Sequence, residues 1–255
     1  MRKTLLIGGD SFSDQRCNSY DGTDVVTWPI LLAEKLDMDL VCLAQSGAGN
    51  EQIYSSIQDY VCAHNPESIG MIIAAWSKSE RMDYELVPHR SHKSFNRTWH
   101  NTRVSPRGEL YHFIRKSIRN FYNLQMLCKT HDLPYKQFQM ISLFMDYISE
   151  YHSDAYKETR LECIEYINES PQFFHIDKSN FIGWPIYNEV GGFVVGDHTV
   201  HQQWREFHKL ANNNPNSSFF KSAKDVPQDY VIGPHDGHPN KTGHRLIMEF
   251  IHENL

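Results

Sequence analysis

The stretch Leu5-Leu6-Ile7-Gly8-Gly9-Asp10-Ser11-Phe12-Ser13-Asp14 decides how the rest of the chain is organised. Its apolar half is too short for a buried helix and therefore predicts a buried strand. The two glycines that follow let the backbone bend sharply and let a ligand approach the peptide N–H groups. The turn presents Ser11, whose hydroxyl can act as a nucleophile only where a base lies within hydrogen-bond reach.

The candidate base lies near the other end of the chain, in Pro234-His235-Asp236-Gly237-His238-Pro239. Taken alone, Gly9-Asp10-Ser11 is equally typical of an Asp/Ser turn that caps a helix. Joined to Asp236-Gly237-His238-Pro239, it resembles the first and last signature blocks of the SGNH (GDSL) hydrolases. The resemblance implies that Ser11 attacks an ester, that His238 transfers the proton and that Asp236 orients the imidazole ring.

The last block departs from the family pattern, which is Asp-x-x-His. Here the spacing is one residue shorter, and His235 stands where the Asp would be. Either Gly237 lets Asp236 reach the Nδ1 side of His238, or the site is a Ser–His dyad whose ring is oriented by a backbone carbonyl. His235, Asp236 and His238 also allow a zinc site, although the sequence shows no clear fourth ligand. We expect His244 to belong to the start of the last helix.

The second block is the glycine turn Gln45-Ser46-Gly47-Ala48-Gly49-Asn50. In the family, a glycine N–H here joins the serine N–H in an oxyanion hole. Gly47 is the matching position and Gly49 its competitor. Each such donor lowers the barrier by about 3 kcal/mol. A tight turn before a helix would carry the same glycines, and the two interpretations are compatible.

The third block departs most. The family carries Gly-x-Asn-Asp, whose Asn amide is the third oxyanion donor, whereas this chain has Trp76-Ser77 and no Asn. Ser77 falls in the Asn position, where it would either donate its hydroxyl or cap a helix. Asn50 and Arg81 are alternative donors, and we expect them to line the substrate side together with Trp76. A Trp-Ser pair followed by a nearby Arg resembles divergent, often phage-encoded, members of the family.

Short apolar segments alternate with helical ones along the chain. This alternation predicts a three-layer α/β/α sandwich with a central parallel sheet, and the family resemblance implies the SGNH, flavodoxin-like kind. Asp10 and Asp14 are expected to fix the serine turn and the first helix by hydrogen bonds. The predicted strands begin at residue 5 and span 40–44, 68–75 and 135–143; the predicted helices span 28–36, 51–63, 109–129, 154–167, 200–212 and 240–255.

Length and composition suit one domain over residues 1–255, because 40% of the residues are hydrophobic and no linker interrupts them. A basic segment at about 77–107 predicts either a solvated loop or a rim that meets an anionic or sugar-like substrate. An irregular segment rich in aromatics and glycine, at about 173–196, predicts a loop over the cleft rather than another strand of the sheet.

Charge and cysteine usage exclude several classes of protein. A net charge of −6 argues against general nucleic-acid binding, and five scattered cysteines predict reduced core residues. The chain shows neither a signal-peptide pattern nor an apolar run of membrane-spanning length, so we expect no membrane partner and a cytoplasmic protein, or a virion component if it is phage-encoded. The sequence leaves the oligomeric state open.

The sequence therefore predicts a serine hydrolase that removes an O-acyl or O-acetyl group from a small molecule, glycan or lipid and needs no cofactor. One alternative is a carbohydrate-binding or virion structural module on the same fold, without turnover. Another is a flavodoxin-like nucleotide binder, although the chain has no GxGxxG or GK[ST] motif to hold phosphates.

Overall fold

The computed structural model describes residues 2–17, 25–86, 98–103, 110–141, 143–144, 154–187, 231–233 and 236–255. In chain order these contain β1 (Thr4–Gly8), α1 (Trp28–Lys35), β2 (Asp39–Cys42), α2 (Asn50–Ala63), β3 (Ile69–Trp76), β4 (Arg81–Leu86), β5 (Thr98–Arg103), α3 (Leu110–Thr130), β6 (Tyr135–Gln139), α4 (Asp154–Glu169), α5 (Pro171–His175), β7 (Phe181–Ile182), β8 (Val231–Gly233), β9 (Asp236–Pro239) and α6 (Lys241–Glu253).

Five strands form a parallel sheet in the order β2-β1-β3-β6-β7. Renumbered within the sheet, this is the order 2-1-3-4-5 of flavodoxin-like proteins. In such sheets a ligand binds beyond the carboxyl ends of the strands, where the chain switches from one side of β1 to the other. The predicted α/β class is therefore confirmed, and the topology points to the end of β1 and β3 as the place of a site.

Along each strand, successive apolar side chains point to opposite faces of the sheet. Leu6 and Ile72 belong to the core shared with α2, α3 and α4, whereas Leu5, Ile7 and Ile73 belong to the core shared with α1 and α6. Because both faces are covered, β1 and β3 appear in the sequence as nearly continuous apolar runs. Each of these fully buried side chains contributes about 1.5–3 kcal/mol relative to an exposed one.

The last helix, α6, holds the C-terminal end of the chain against this sheet. The side chain of Asn240 caps it by accepting hydrogen bonds from the N–H groups of Thr242 (2.9 Å) and Gly243 (3.0 Å). Ile247 and Ile251, four residues apart on one face, are fully buried. The helix predicted over 240–255 is thus confirmed, and its packing fixes the segment that precedes it.

Part of the segment predicted as a basic loop forms a two-stranded antiparallel ribbon. β4 pairs with β5 from Arg81↔Arg103 to Leu86↔Thr98, which corrects the prediction of a loop over 77–107 for these two stretches. β4 has a partly alternating polar and apolar pattern, Arg81-Met82-Asp83-Tyr84-Glu85-Leu86, which is typical of a strand with one covered face. Residues 87–97 and 104–109 lie outside the described residues.

The irregular aromatic segment also contributes to the sheet. Phe181 and Ile182 form β7, pair with Gln137 and Phe138 of β6, and are both buried. The prediction that no sheet strand occurs between 173 and 196 is therefore wrong at these two residues. A two-residue strand is too short to show a period in the sequence. The remainder of that segment beyond residue 187, and the helix predicted over 200–212, lie outside the described residues.

None of the helices in the described ranges combines the length and the apolar character needed to cross a lipid bilayer.

Candidate active site

The serine turn follows β1 directly and is held by Asp10. The carbonyl oxygen of Asp10 accepts hydrogen bonds from the N–H groups of Ser13 (2.9 Å) and Asp14 (3.0 Å), and its carboxylate oxygen Oδ1 accepts one from the N–H of Phe12 (3.1 Å). These bonds close a tight turn with Ser11 at its outer side, where 6% of the residue is exposed. The sequence prediction of a strand leading into a turn that presents this serine is confirmed.

His238 reaches this serine from the other end of the chain. Its Nε2 lies 2.8 Å from Oγ of Ser11, and its ring packs against Phe12 with 4.8 Å between the centroids. His238 lies on β9, one residue before the Pro239–Asn240 pair that leads into α6. The structure thus brings together the serine and the histidine that the sequence singled out.

Asp236 is the other C-terminal candidate. It lies on β9, two residues before His238, and its backbone pairs with Gly233 of β8. The side chain of Asp236 and the whole of His235 lie outside what the structure describes. The role of Asp236 therefore stays a prediction.

The glycine turn after β2 lies beside the serine turn. The N–H of Gln45 donates to the carbonyl oxygen of Gly9 (3.1 Å), and the N–H of Ser46 donates to the carboxylate of Asp14 (3.0 Å). Gly47 follows with φ = 80°, a left-handed conformation that favours glycine. Within the described part of the chain, the N–H groups of Gly47 and Ser11 have no hydrogen-bond acceptor.

Gly49, the alternative to Gly47 as the glycine of the oxyanion hole, has a different role. Its N–H donates to Asp83 Oδ1 (2.8 Å), so this donor is engaged. A Cβ at this position would stand 2.5 Å from Asp83 Oδ2 and 2.8 Å from the Cβ of Arg81. Glycine is needed here because β4 approaches the turn closely, which leaves Gly47 as the glycine with an available N–H.

Ser77, at the end of β3, directs its hydroxyl into the protein. It is fully buried, its Oγ donates to Asp10 Oδ2 (3.0 Å), and its N–H donates to Oδ1 of Asn50 (2.7 Å). In this geometry the Ser77 hydroxyl supports the serine turn and is not available as a third oxyanion donor.

Asn50 and Trp76 were expected to line the substrate side, and both are interior residues instead. The Asn50 amide nitrogen donates to the Ser77 carbonyl (3.0 Å) and to Oγ of Ser117 (2.9 Å). The Trp76 indole is fully buried and donates to Oε1 of Gln137 (3.0 Å). Both side chains already have buried partners, so the expectation that they contact substrate is corrected.

The sequence also led us to expect Arg81, the first residue of β4, on the substrate side together with Asn50 and Trp76. Its Nη1 lies 2.9 Å from Asp10 Oδ2, 2.9 Å from the Ala48 carbonyl and 2.6 Å from Ser77 Oγ. Arg81 therefore joins the turns that follow β1, β2 and β3, and 18% of its side chain is exposed. The structure places it behind the serine turn and among the site's supports.

Asp83 is a residue that the sequence analysis missed. Besides the N–H of Gly49, its carboxylate accepts the N–H of Gln52 (3.0 Å). Asp83, which lies on β4, therefore caps the N-terminus of α2. Burial raises the pKa of Asp83, and the two N–H donors oppose that shift. The alternation of β4, which places Arg81 and Asp83 on one face, is the sequence signal that would have drawn attention to it.

His244 lies in the first turn of α6, as the sequence predicted. It is fully buried, and its Nδ1 accepts the N–H of Trp28 (3.3 Å). Burial, with a smaller contribution from His238, lowers the pKa of His244 to about 3. The ring is therefore neutral at ordinary pH and anchors α1 to α6.

The zinc alternative gains no support from the described residues, since no group of three or more His, Cys, Asp or Glu side chains is clustered there. His235, which that alternative requires, is not among them.

No protein-family model matches the chain, and no curated protein matches it either. Solved structures with a similar course of the chain include the esterase EstA from Pseudoalteromonas sp. (13% identity, 99% of this chain and 96% of that one, TM-score 0.49). A second is the acetyl xylan esterase AlAXEase (11% identity, 99% of this chain and 99% of that one, TM-score 0.48). A third is a member of the lipolytic G-D-S-L family from Veillonella parvula (11% identity, 98% of this chain and 97% of that one, TM-score 0.47).

At identities of 11–13%, the likeness concerns the fold alone. The chain is thus similar in its course to two esterases and to a G-D-S-L lipolytic protein.

Proposed function

We propose that this protein is a serine hydrolase that cleaves a carboxylic ester, removing an O-acyl or O-acetyl group from a small molecule, a glycan or a lipid. One observation carries the proposal: Nε2 of His238 lies 2.8 Å from Oγ of Ser11. This is the distance at which a general base can take the proton of a nucleophilic hydroxyl.

The reaction starts with Ser11 Oγ attacking the carbonyl carbon while its proton passes to Nε2 of His238. The carbonyl π electrons move to the oxygen, and the N–H groups of Ser11 and Gly47 are proposed to stabilise the resulting oxyanion. When the carbonyl re-forms, the ester C–O bond breaks and the alcohol leaves with the proton from His238. Water repeats the sequence on the acyl-enzyme, which releases the acid and restores Ser11.

Asp236 is proposed to orient the imidazole ring of His238 and to stabilise its protonated form. The proposal is supported by the place of Asp236 in the sequence, two residues before His238. If Asp236 does not reach Nδ1, a backbone carbonyl takes over that task and the site is a dyad. The scheme uses only protein groups and requires no cofactor.

The test is hydrolysis of p-nitrophenyl acetate and butyrate by the wild type, Ser11→Ala and His238→Ala. We expect turnover by the wild type and a loss of at least about 10⁴-fold in kcat for each variant. Ser13→Ala is the matched control, because Ser13 is a buried serine in the same turn with no hydrogen-bond partner for its hydroxyl among the described residues. This control should keep the wild-type rate.

A fluorophosphonate provides an independent measurement, because it labels an activated serine without turnover. We expect it to label the wild type and Ser13→Ala, and to leave Ser11→Ala unlabelled. A folded wild type that neither hydrolyses the esters nor reacts with the probe would contradict the proposal. The fold would then serve binding without turnover, for which the missing third-block Asn is the supporting feature.

A further inference from the structure

A buried carboxylate stands next to the proposed nucleophile and takes no part in the proposed reaction. Asp10 is fully buried and immediately precedes Ser11. Its Oδ1 accepts the N–H of Phe12, and its Oδ2 accepts the Ser77 hydroxyl (3.0 Å) and an N–H of Arg81 (2.9 Å). A buried carboxylate is costly unless it is paired and hydrogen-bonded, and here Arg81 supplies the opposite charge.

The position of this charge matters for the chemistry as well as for the fold. The proposed reaction develops a negative charge on the substrate oxygen beside the Ser11 N–H, close to Asp10. Two negative charges repel each other more strongly in a poorly hydrated site than in water. An uncompensated Asp10 would therefore oppose the formation of the oxyanion.

We propose that Arg81 is a positioning residue that offsets the charge of Asp10 and holds the serine turn against the turn after β2. The inference rests on the proposed function, because it concerns the oxyanion formed at Ser11. Arg81 acts through Asp10, Ser77 and the Ala48 carbonyl and does not contact the substrate.

The sign of the charge left behind separates this role from a merely structural one. Arg81→Met leaves a buried negative charge beside the oxyanion, whereas Asp10→Asn leaves a positive one. A structural role would make both substitutions harmful, since each breaks the same network. Charge compensation makes Arg81→Met harmful, Asp10→Asn much less so, and the double variant better than Arg81→Met alone.

The experiment measures kcat and KM on p-nitrophenyl acetate for the wild type, both single variants and the double variant. We expect Arg81→Met to lower kcat by about 100-fold with KM changed less than about 3-fold, comparable to the loss of one oxyanion donor. The double variant should regain at least about 10-fold of this loss, which is the coupling expected for residues in one network. Arg16→Met is the matched control, because Arg16 pairs with Asp14 through a side chain that is 74% exposed.

If Arg81→Met does not fold, the comparison is made in the Asp10→Asn background, where the inference expects removal of Arg81 to change kcat by less than about 3-fold. Circular dichroism establishes that each variant is folded.

An active wild type in which Asp10→Asn is as slow as Arg81→Met, or the double variant slower than both, would overturn this inference alone. So would a rise in KM with kcat retained, which would indicate direct substrate contact. A wild type without turnover or labelling would overturn the proposed function and this inference with it.

Discussion

At the scale of single residues, two buried ionisable side chains, Asp10 and His244, are accommodated in different ways. Asp10 is part of an ion pair with Arg81. His244 is neutral, because burial lowers its pKa to about 3, and its Nδ1 can accept the Trp28 N–H only while unprotonated. Helix α1 has no side-chain cap at Thr27, so this histidine takes on part of that task.

The state of His244 predicts how stability depends on pH. In the unfolded chain a histidine has a pKa near 6.5, whereas in the folded protein the pKa of His244 is about 3. Between these values the unfolded state binds one more proton, so its protonation favours unfolding. The contribution of His244 is therefore complete above pH 6.5 and is lost at about 1.4 kcal/mol per pH unit as the pH falls toward 3.

The measurement is the free energy of unfolding in urea from pH 7.5 to 4.5 for the wild type and His244→Asn, whose amide oxygen can accept the Trp28 N–H without titrating. We expect the wild type to be more stable at pH 7.5, and its advantage over the variant to shrink steadily below pH 6.5. Parallel curves for the two proteins would show that His244 does not stay neutral in the folded state.

At the scale of elements, the predicted strands are those whose sequence shows an apolar run or an alternation. β1 and β3 were predicted from nearly continuous apolar runs, which arise because both faces of the sheet are covered there. β2 was predicted from a short apolar run, and β6 from a partial alternation of polar and apolar residues. β4 and β5 lie in a long basic segment without a clear period, which was interpreted as a loop. β7 is too short to show any period.

The same contrast holds for the candidate site. Ser11, Gly47 and His238 stand in short local motifs and could be named from the sequence. For Asp83 the alternation of β4 shows only that it shares a face with Arg81. Its contacts with N–H groups 34 and 31 residues away do not follow from that pattern. The interior positions of Asn50 and Trp76 likewise depend on partners from α3 and β6.

Asp83 predicts a measurable link between β4 and α2. Asp83→Ala leaves the N–H groups of Gly49 and Gln52 without their acceptor at the helix N-terminus. We expect a loss of about 1–2 kcal/mol in the free energy of unfolding, the usual cost of removing a helix cap. Urea unfolding followed by circular dichroism measures this loss.

The control for this prediction is Asp59→Ala, which removes the same charge from an exposed position on α2. Its effect should stay within about 0.5 kcal/mol, as for most surface substitutions. Equal losses in both variants would mean that Asp83 contributes only through net charge, and would remove it as a cap of α2.

At the scale of the whole molecule, the candidate site joins the two ends of the chain. Ser11 and His238 are 227 positions apart in sequence and 2.8 Å apart in space. The segment with His238 is positioned by α6, which packs against α1 and buries Ile247 and Ile251 in the core on that face of the sheet. The geometry of the site therefore depends on the docking of one terminal helix.

This dependence predicts that weakening α6 separates activity from global stability. Ile251→Ala removes a fully buried side chain at the end of α6 remote from His238, and should cost about 2–5 kcal/mol. Single elements of a protein can open locally while the rest stays folded. We therefore expect p-nitrophenyl acetate hydrolysis to be lost at a lower urea concentration than the circular dichroism signal. Ile118→Ala, an equally buried isoleucine of α3 on the opposite face, provides the matched control. In that variant activity and circular dichroism should be lost together, since its cavity weakens the core that does not hold His238. Coincident transitions in Ile251→Ala as well would show that α6 unfolds only with the rest of the molecule.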